Sequence, residues 1–371
     1  MNMRNGSIAM ADNLRRFPRE GLTKLCSQIF TDYGYSDKDA KFIVDVLIEA
    51  DMMNVESHGL QRLELYCNGI DIGRIKVQAD IKTVAETPLS ATIDADAAMG
   101  QLVGRLGMHT AIKKAKACGI GFVVIRNSNH YGMAGYYSML AAREGMLGIS
   151  MTNSQALVVP TFGREPMLGT NPIAITMPGN PMYHFDMATS VCTAGKLEVY
   201  SKKGAEIPSG WLIDWDGKSS TNPKDFLKIR TQRLLGGILP IGGEGEMLGG
   251  YKGYGLSLLV ELFTGVLAGG VTSLGVRKML NEERCSHMFF ALDYSILGVP
   301  GEIEKHFSDY LVTIQNSAKA LGADHIFIPG EKEFLHYADA EKYGVPLNSA
   351  TCDSIKDLCL KHGVKGCRDY F

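Results

Sequence analysis

The sequence predicts a mixed α/β chain in which a helical region built from both chain ends accompanies a central α/β domain. Three observations predict it: helical apolar spacing in the first 80 residues, strand-like runs alternating with short helices from Ile81 to Gly249, and a return to helical spacing over residues 250–371. At 371 residues the chain is too long for one ordinary core, so residues 1–80 joined by 250–371, and residues 81–249, are expected as two domains.

Leu22, Leu25, Cys26, Ile29 and Phe30 recur at helical spacing until Gly34. Ser36 then opens a second helix, with Asp39 in the capping-box place and Ala40, Ile43, Val46, Leu47, Ala50 and Met53 on its inner face. A third helix is expected from Ser57 to Ile70. Ala91–Ile93, Phe122–Ile125, Leu147–Met151, Ile173–Met177 and Tyr183–Met187 read as strands, with helices at about Gln101–Ala117 and Met133–Glu144 between them. Glycine pairs between Pro208 and Gly250 mark a loop-rich segment. Helices are expected again at Gly253–Ala268, Glu304–Leu321 and Ser354–His362, and Met288–Asp293 as a strand returning to the sheet.

Composition excludes several classes. Lys and Arg number 38 against 40 Asp and Glu, so no basic excess exists to neutralise a nucleic-acid backbone. Eight cysteines lie at wide spacings without a CxxC pair, which fits reduced thiols in the cytoplasm rather than a zinc ribbon or a disulfide scaffold. Met1–Phe17 lacks the apolar core of a signal peptide, and Asn5-Gly6-Ser7 is a glycosylation sequon in form only. The apolar run Tyr254–Gly270 contains Glu261 and falls short of the ~20 residues a membrane span needs, so a buried helix is expected there. Cys352, Cys359, His362 and Cys367 match no familiar zinc spacing, and no metal is expected.

No GxGxxG follows a strand, because Gly119-Ile120-Gly121 runs on into Phe-Val-Val and Gly253-Tyr254-Gly255 into Leu-Ser-Leu. A P-loop and an HExxH are absent too. The first positive signal is Ser57-His58-Gly59-Leu60-Gln61-Arg62. On a continuous helix Leu60, Leu63, Cys67 and Ile70 share one face, while His58, Arg62 and Tyr66 follow at i+4 steps as a polar ridge. Arg62 could grip a carboxylate with its planar fork and His58 serve the oxygen beside it; the competing reading is a solvated face of an amphipathic helix. The second signal is Arg126-Asn127-Ser128-Asn129-His130-Tyr131-Gly132, which sets His130 at the carboxyl end of a strand, where open α/β sheets place ligands. Such an imidazole can accept a hydroxyl proton as hydride leaves the same carbon; the competing reading is a histidine that caps the next helix. Three further segments gain meaning only in company: the turn Gly169-Thr170-Asn171-Pro172, the strand end Phe185-Asp186-Met187-Ala188-Thr189 whose acid could hold a ribose hydroxyl, and Gly249–Gly255, where Lys252 and a helix N-terminus could face a pyrophosphate.

Taken in this order, these segments resemble the malate/L-lactate dehydrogenase type 2 family, which also includes ureidoglycolate dehydrogenase, sulfolactate dehydrogenase and diketogulonate reductase. The likeness runs from about Leu22 to Tyr343, anchored on Ser57-His58-Gly59 with Arg62, Gly100-Gln101, Asn129-His130-Tyr131-Gly132, Gly169–Pro172, Asp186–Thr189, Lys252–Leu256 and Pro329-Gly330-Glu331. It implies a homodimer with a cleft shared between subunits, a nicotinamide-binding α/β domain distinct from Rossmann, NAD or NADP as cofactor, and a small 2-hydroxy or 2-oxo acid as substrate, with malate first. His130 matches the family's proton-transfer histidine and His58 the second histidine given that role in some members. Ser57, Arg62 and Tyr66 are implied on the substrate side. Ser154, Thr170, Asn171, Asp186, Met187, Ala188 and Lys252 are implied at the cofactor, with His306, Phe307 and Ser308 added. One departure stands out: several relatives carry Gly before the later histidine, where this chain reads Cys285-Ser286-His287. The alternatives are a reductase of ureidoglycolate-type, imino or diketo acids within the family, and a non-catalytic ligand-binding scaffold; the presence of both histidines, Arg62 and Lys252 favours the enzyme.

Overall fold

The computed structural model describes residues 14–278 and 284–371. The expectations attached to residues 1–13, including the Asn5-Gly6-Ser7 sequon, lie outside the described residues. The chain divides into two compact units, residues 1–67 with 333–371, and residues 68–332.

The first unit begins with β1 (Arg15–Phe17), α1 (Arg19–Asp32) and α2 (Asp37–Met52). Leu22, Leu25, Cys26, Ile29 and Phe30 are buried on α1, as their spacing predicts. Ser36 caps α2 by accepting from the Asp39 amide, and its hydroxyl donates to Asp39 Oδ2 at 2.7 Å. Each fully buried side chain such as Leu22, Ile29, Ile43 or Leu47 contributes about 1.5–3 kcal/mol relative to exposure. The expected third helix is interrupted. Two 3-10 turns, Glu56–His58 and Leu60–Arg62, meet at Gly59, and regular helix starts only at α3 (Leu63–Asp71).

The second unit is built on β2 (Lys82–Glu86), β3 (Ser90–Asp94), α4 (Gly100–Cys118), β4 (Ile120–Ser128), α5 (Ala134–Arg143), β5 (Leu147–Thr152), β6 (Ile173–Met177) and β7 (Tyr183–Met187). After these come α6 (Ala194–Lys203), β8 (Leu212–Ile213), β9 (Ser219–Ser220), α7 (Pro223–Gln232) and β10 (Gly237–Ile238). Then follow α8 (Gly250–Glu261), which continues as a π-helical turn over Leu262–Val266, α9 (Ser273–Lys278), β11 (Cys285–Leu292) and α10 (Pro300–Gln315). Seven strands form one sheet in the order β2-β3-β4-β11-β5-β6-β7. Only β3 and β4 run parallel; the other neighbours are antiparallel. Successive residues of a strand face opposite sides. On β11, Phe289 and His287 therefore join Tyr131 and Tyr137 in an aromatic stack, while Met288 packs with Val124, Met151, Ile173, Val260 and Ala268 on the other side.

Three expectations change. Residues 250–332 belong with the sheet, because β11 sits between β4 and β5 at its middle. The stretch read as loop-rich holds α7 and a three-stranded sheet, β10-β8-β9, whose strands of two residues are too short to show periodicity. The helix expected to reach Leu321 ends at Gln315.

The chain ends with α11 (Glu331–Tyr343), β12 (Val345–Leu347), α12 (Ser349–Lys361) and α13 (Cys367–Tyr370). β12 pairs antiparallel with β1, and Arg16 bonds Asp339 at 2.6 Å, so the two chain ends are joined within the first unit. Cys352, Cys359 and Cys367 are buried there, and His362 Nδ1 lies 2.7 Å from Asp32 Oδ2. All eight cysteines are free thiols.

Candidate active site

In the first unit the site residues ride on the broken helix. Gly59 is extended, at φ −83° and ψ −159°, and a Cβ built on it would lie 1.8 Å from Asp51 Oδ1, so only glycine fits against that carboxyl group. The break lets the segment fold back on itself. Arg62 Nε donates to the Ser57 carbonyl at 2.6 Å, Ser57 Oγ lies 2.8 Å from His58 Nδ1, and Gln61 Nε2 donates to the Glu56 carbonyl. The terminal amino groups of Arg62 hold no hydrogen bond or ion pair among the described residues. Burial, helped by the Arg62 charge, pulls the His58 pKa down to about 4, so this imidazole is neutral near pH 7. His58, Arg62 and Tyr66 do not form the single-helix ridge that their spacing suggested: Tyr66 belongs to α3 and is 1% exposed.

In the second unit His130 stands two residues beyond β4 and is half-buried. Its loop is clamped from below. Asn129 Nδ2 donates to the carbonyls of Ala97 and Ala98, and a Cβ on Gly100 would fall 2.2 Å from the His130 carbonyl oxygen and 2.4 Å from that of Asn129. The Gly132 amide donates to His130 Nδ1 in a long 3.3 Å contact. His130 does not cap α5: the acid at that helix start is Asp186, whose Oδ2 accepts from the Gly135 amide at 2.6 Å. A carboxylate there is favoured by the helix dipole.

A second group gathers around the Gly169–Pro172 turn. Ser154 Oγ accepts from the Thr170 amide at 3.1 Å and lies 3.3 Å from Thr170 Oγ1. Thr189 ties its hydroxyl to the Thr170 and Asn171 carbonyls. Asn171 is fully buried; its amide donates to Ser257 on α8 and to Glu261, and its oxygen accepts from Ser273. Its side chain is a strut between the turn and α8. Lys252 is exposed in the first turn of the same helix, five residues before Ser257 and so roughly 7–8 Å along the axis. Met187 and Ala188 are half-buried at the end of β7.

His306, Phe307 and Ser308 lie elsewhere. Ser308 Oγ accepts from the Asn180 amide and Phe307 packs edge-on to Tyr183, both at the closed end of the β6–β7 hairpin. Thr170 and Met187 sit at its open end, a strand length of roughly 14 Å away. His287, in the departing Cys285-Ser286-His287 stretch, is fully buried, stacked 4.4 Å from Tyr131, and bonded to Thr152 Oγ1; burial pulls its pKa down to about 3. The α8 region is not the buried helix expected from its composition: Leu256, Leu258, Leu259, Leu262, Val266 and Leu267 are between 37 and 55% exposed. A helix apolar all round reads as buried, whichever side its own chain covers.

Sequence reasoning gave no role to the buried acids Glu49, Asp51 and Glu261. Asp51 falls one turn after Leu47 on the apolar stripe of α2, and an acid in such a place was the available signal.

Residues 17–356 match the family described as malate/L-lactate dehydrogenase. The chain belongs to that family. Within it, the chain is 44% identical over 359 residues to the malate dehydrogenase of Pyrococcus abyssi, covering 96% of this chain and 97% of that one. It is 37% identical to the L-sulfolactate dehydrogenase of Methanocaldococcus jannaschii, with 93% and 96% covered. Among solved structures, the malate dehydrogenase of Entamoeba histolytica superposes with a TM-score of 0.91 at 33% identity, covering 95% of this chain and 99% of that one. The malate/L-lactate dehydrogenase family is thus matched along nearly the whole chain, in sequence and in fold.

Proposed function

We propose that this family member is an NAD(P)-dependent malate dehydrogenase, moving hydride between the nicotinamide and a small 2-hydroxy or 2-oxo acid. The observation that carries the reading is Arg62: its Nε is held by the Ser57 carbonyl, and its two terminal amino groups are left for a planar anion. A guanidinium so oriented is matched to a carboxylate. Ser57 and the neutral His58 stand beside it as hydrogen-bonding groups, and Tyr66, on α3, completes the proposed substrate side. His130, on its clamped loop, takes the hydroxyl proton in the oxidative direction and returns it in the reductive one.

The donor set of the second unit fits a dinucleotide. The Ser154 and Thr170 hydroxyls, the first turn of α8 and Lys252 suit a pyrophosphate and its neighbours, and Asp186 with Met187 and Ala188 suits a ribose. Asn171 acts there by shaping the turn, since its side chain is fully engaged with protein. When bound, the nicotinamide supplies or receives the hydride. This cofactor domain is of a non-Rossmann kind, in keeping with its mostly antiparallel sheet. His306–Ser308, at the closed end of the β6–β7 hairpin, complete the proposed set.

The exposed apolar stripe of α8 supports a homodimer with a shared cleft. Free thiols support a cytoplasmic setting, and among the described residues no helix is long and apolar enough to cross a membrane. The test is a panel of oxaloacetate, pyruvate and other 2-oxo acids with NADH and NADPH in turn, following the absorbance of the reduced nicotinamide. Turnover highest with oxaloacetate is expected. Absence of oxidation with every acid and both cofactors overturns the reading, and a non-catalytic scaffold takes its place.

A further inference from the structure

The carboxyl group of Asp51 occupies a place where an apolar side chain would be expected. It is 3% exposed, one turn past Leu47 on the inward stripe of α2. Its Oδ2 accepts from the buried Leu60 amide at 2.8 Å. Burial and the nearby Glu56 charge raise its pKa well above the usual carboxylate range.

The Leu60 contact has a specific geometric meaning. Leu60 opens the second 3-10 turn, so its amide is one of the donors that a helix start leaves without a partner. The residue before it, Gly59, has no side chain to cap that donor, and Asp51 does so from another helix. The same carboxyl group lies flat on Gly59, at the distance that excludes any Cβ. Across the break at Gly59, Arg62 Nε reaches back to the Ser57 carbonyl, and Ser57 Oγ lies beside His58 Nδ1 in the turn before it.

We propose that Asp51 is a positioning residue, whose carboxyl group holds the break at Gly59 and through it the orientation of His58 and Arg62. This rests on Arg62 being the substrate-carboxylate contact. A side chain of the same shape with an acceptor oxygen serves equally, so Asp51→Asn keeps the function. Asp51→Ala leaves the Leu60 amide buried without an acceptor and frees the segment to re-form a continuous turn. The rest of α2, with Ile43, Val46, Leu47 and Ala50 buried, still supports the unit.

The experiment is steady-state kinetics of the full chain with its best 2-oxo acid, together with thermal melting, for wild type, Asp51→Asn, Asp51→Ala, Gly59→Ala and Arg62→Ala. In Asp51→Ala the KM for the acid is expected to rise about tenfold, with the KM for the reduced nicotinamide changed by less than about twofold. Asp51→Asn is expected to stay within about twofold of wild type in both. Gly59→Ala pushes on the same carboxyl group and is expected to repeat the Asp51→Ala pattern, which keeps the test open if Asp51→Ala does not fold. An acid KM unchanged in Asp51→Ala or Gly59→Ala, both KM values rising together, or Asp51→Asn as impaired as Asp51→Ala each overturns the proposal. If Arg62→Ala raises the acid KM while the Asp51 variants do not, Asp51 alone loses its role; if Arg62→Ala is also without effect, the reading of Arg62 fails first.

Discussion

Arg62 Nε and the Ser57 carbonyl oxygen stand 2.6 Å apart, so one edge of the guanidinium is fixed by its own chain. A lysine at this position has neither the fork nor the second edge. Arg62→Lys is expected to raise the KM for the 2-oxo acid by about tenfold or more while kcat changes less. Initial rates against acid concentration check this, and a KM equal to that of wild type removes Arg62 from the site.

His130→Ala is expected to lower turnover by about two to four orders of magnitude, the usual range for a lost proton-transfer group. Folding and cofactor binding should survive, because Asn129 and Gly100 brace the loop through contacts that do not involve the imidazole. The check is turnover beside protection against heat by NADH and NADPH. Undiminished turnover shows that the proton passes through another group.

Gly100 meets two backbone oxygens, those of Asn129 and His130, which cannot swing aside as side chains do. Gly100→Ala is therefore expected to destabilise by about 2 kcal/mol or more and to depress turnover by shifting the His130 loop. A variant with unaltered melting and turnover shows that α4 approaches the loop less closely than described.

Three histidines link stability to pH. Their folded pKa values, about 4 for His58 and His184 and about 3 for His287, lie below the ~6.5 of an unfolded histidine. Between these limits the unfolded chain binds protons that the folded chain refuses, so stability is full above about pH 6.5 and declines as pH falls toward about 4. Melting temperature should drop across that window, the three histidines outweighing the single opposing carboxyl of Asp51, and drop less in His287→Phe, which keeps the stack on Tyr131. An unchanging melting temperature across the window contradicts neutral burial of these rings.

The α8 stripe makes a prediction about assembly. Leu258→Asp with Leu262→Asp places two charges on an exposed apolar face without touching buried Ser257, Val260 or Glu261. If that face joins two copies, sedimentation should report monomers for the double variant and dimers for wild type. Dimers in both place the joint on another face.

Much of the fold could be read in the residues, where local patterning decides structure. Ile173–Met177 and Tyr183–Met187 are strands to the residue, and Ser36 caps α2 through Asp39. What escaped is decided by partners distant in the chain. The break at Gly59 leans on Asp51 of another helix, and within Ser57–Ile70 only the glycines hint at an interruption. Asp186 was legible as an acid at a strand end, but its partner Gly135 is 51 residues away. Met288–Asp293 showed itself as a strand, while its place between β4 and β5 follows only from packing.

That placement bears on how the chain is made. β4 and β5 both face the gap that β11 fills, and β11 begins at Cys285, about 130 residues after β5 ends. At the usual pace of about 5–20 residues per second, a ribosome needs on the order of ten seconds to deliver it. During that interval two apolar strands wait with unpaired edges, and the nascent chain is open to wrong pairing in a way the finished protein is not.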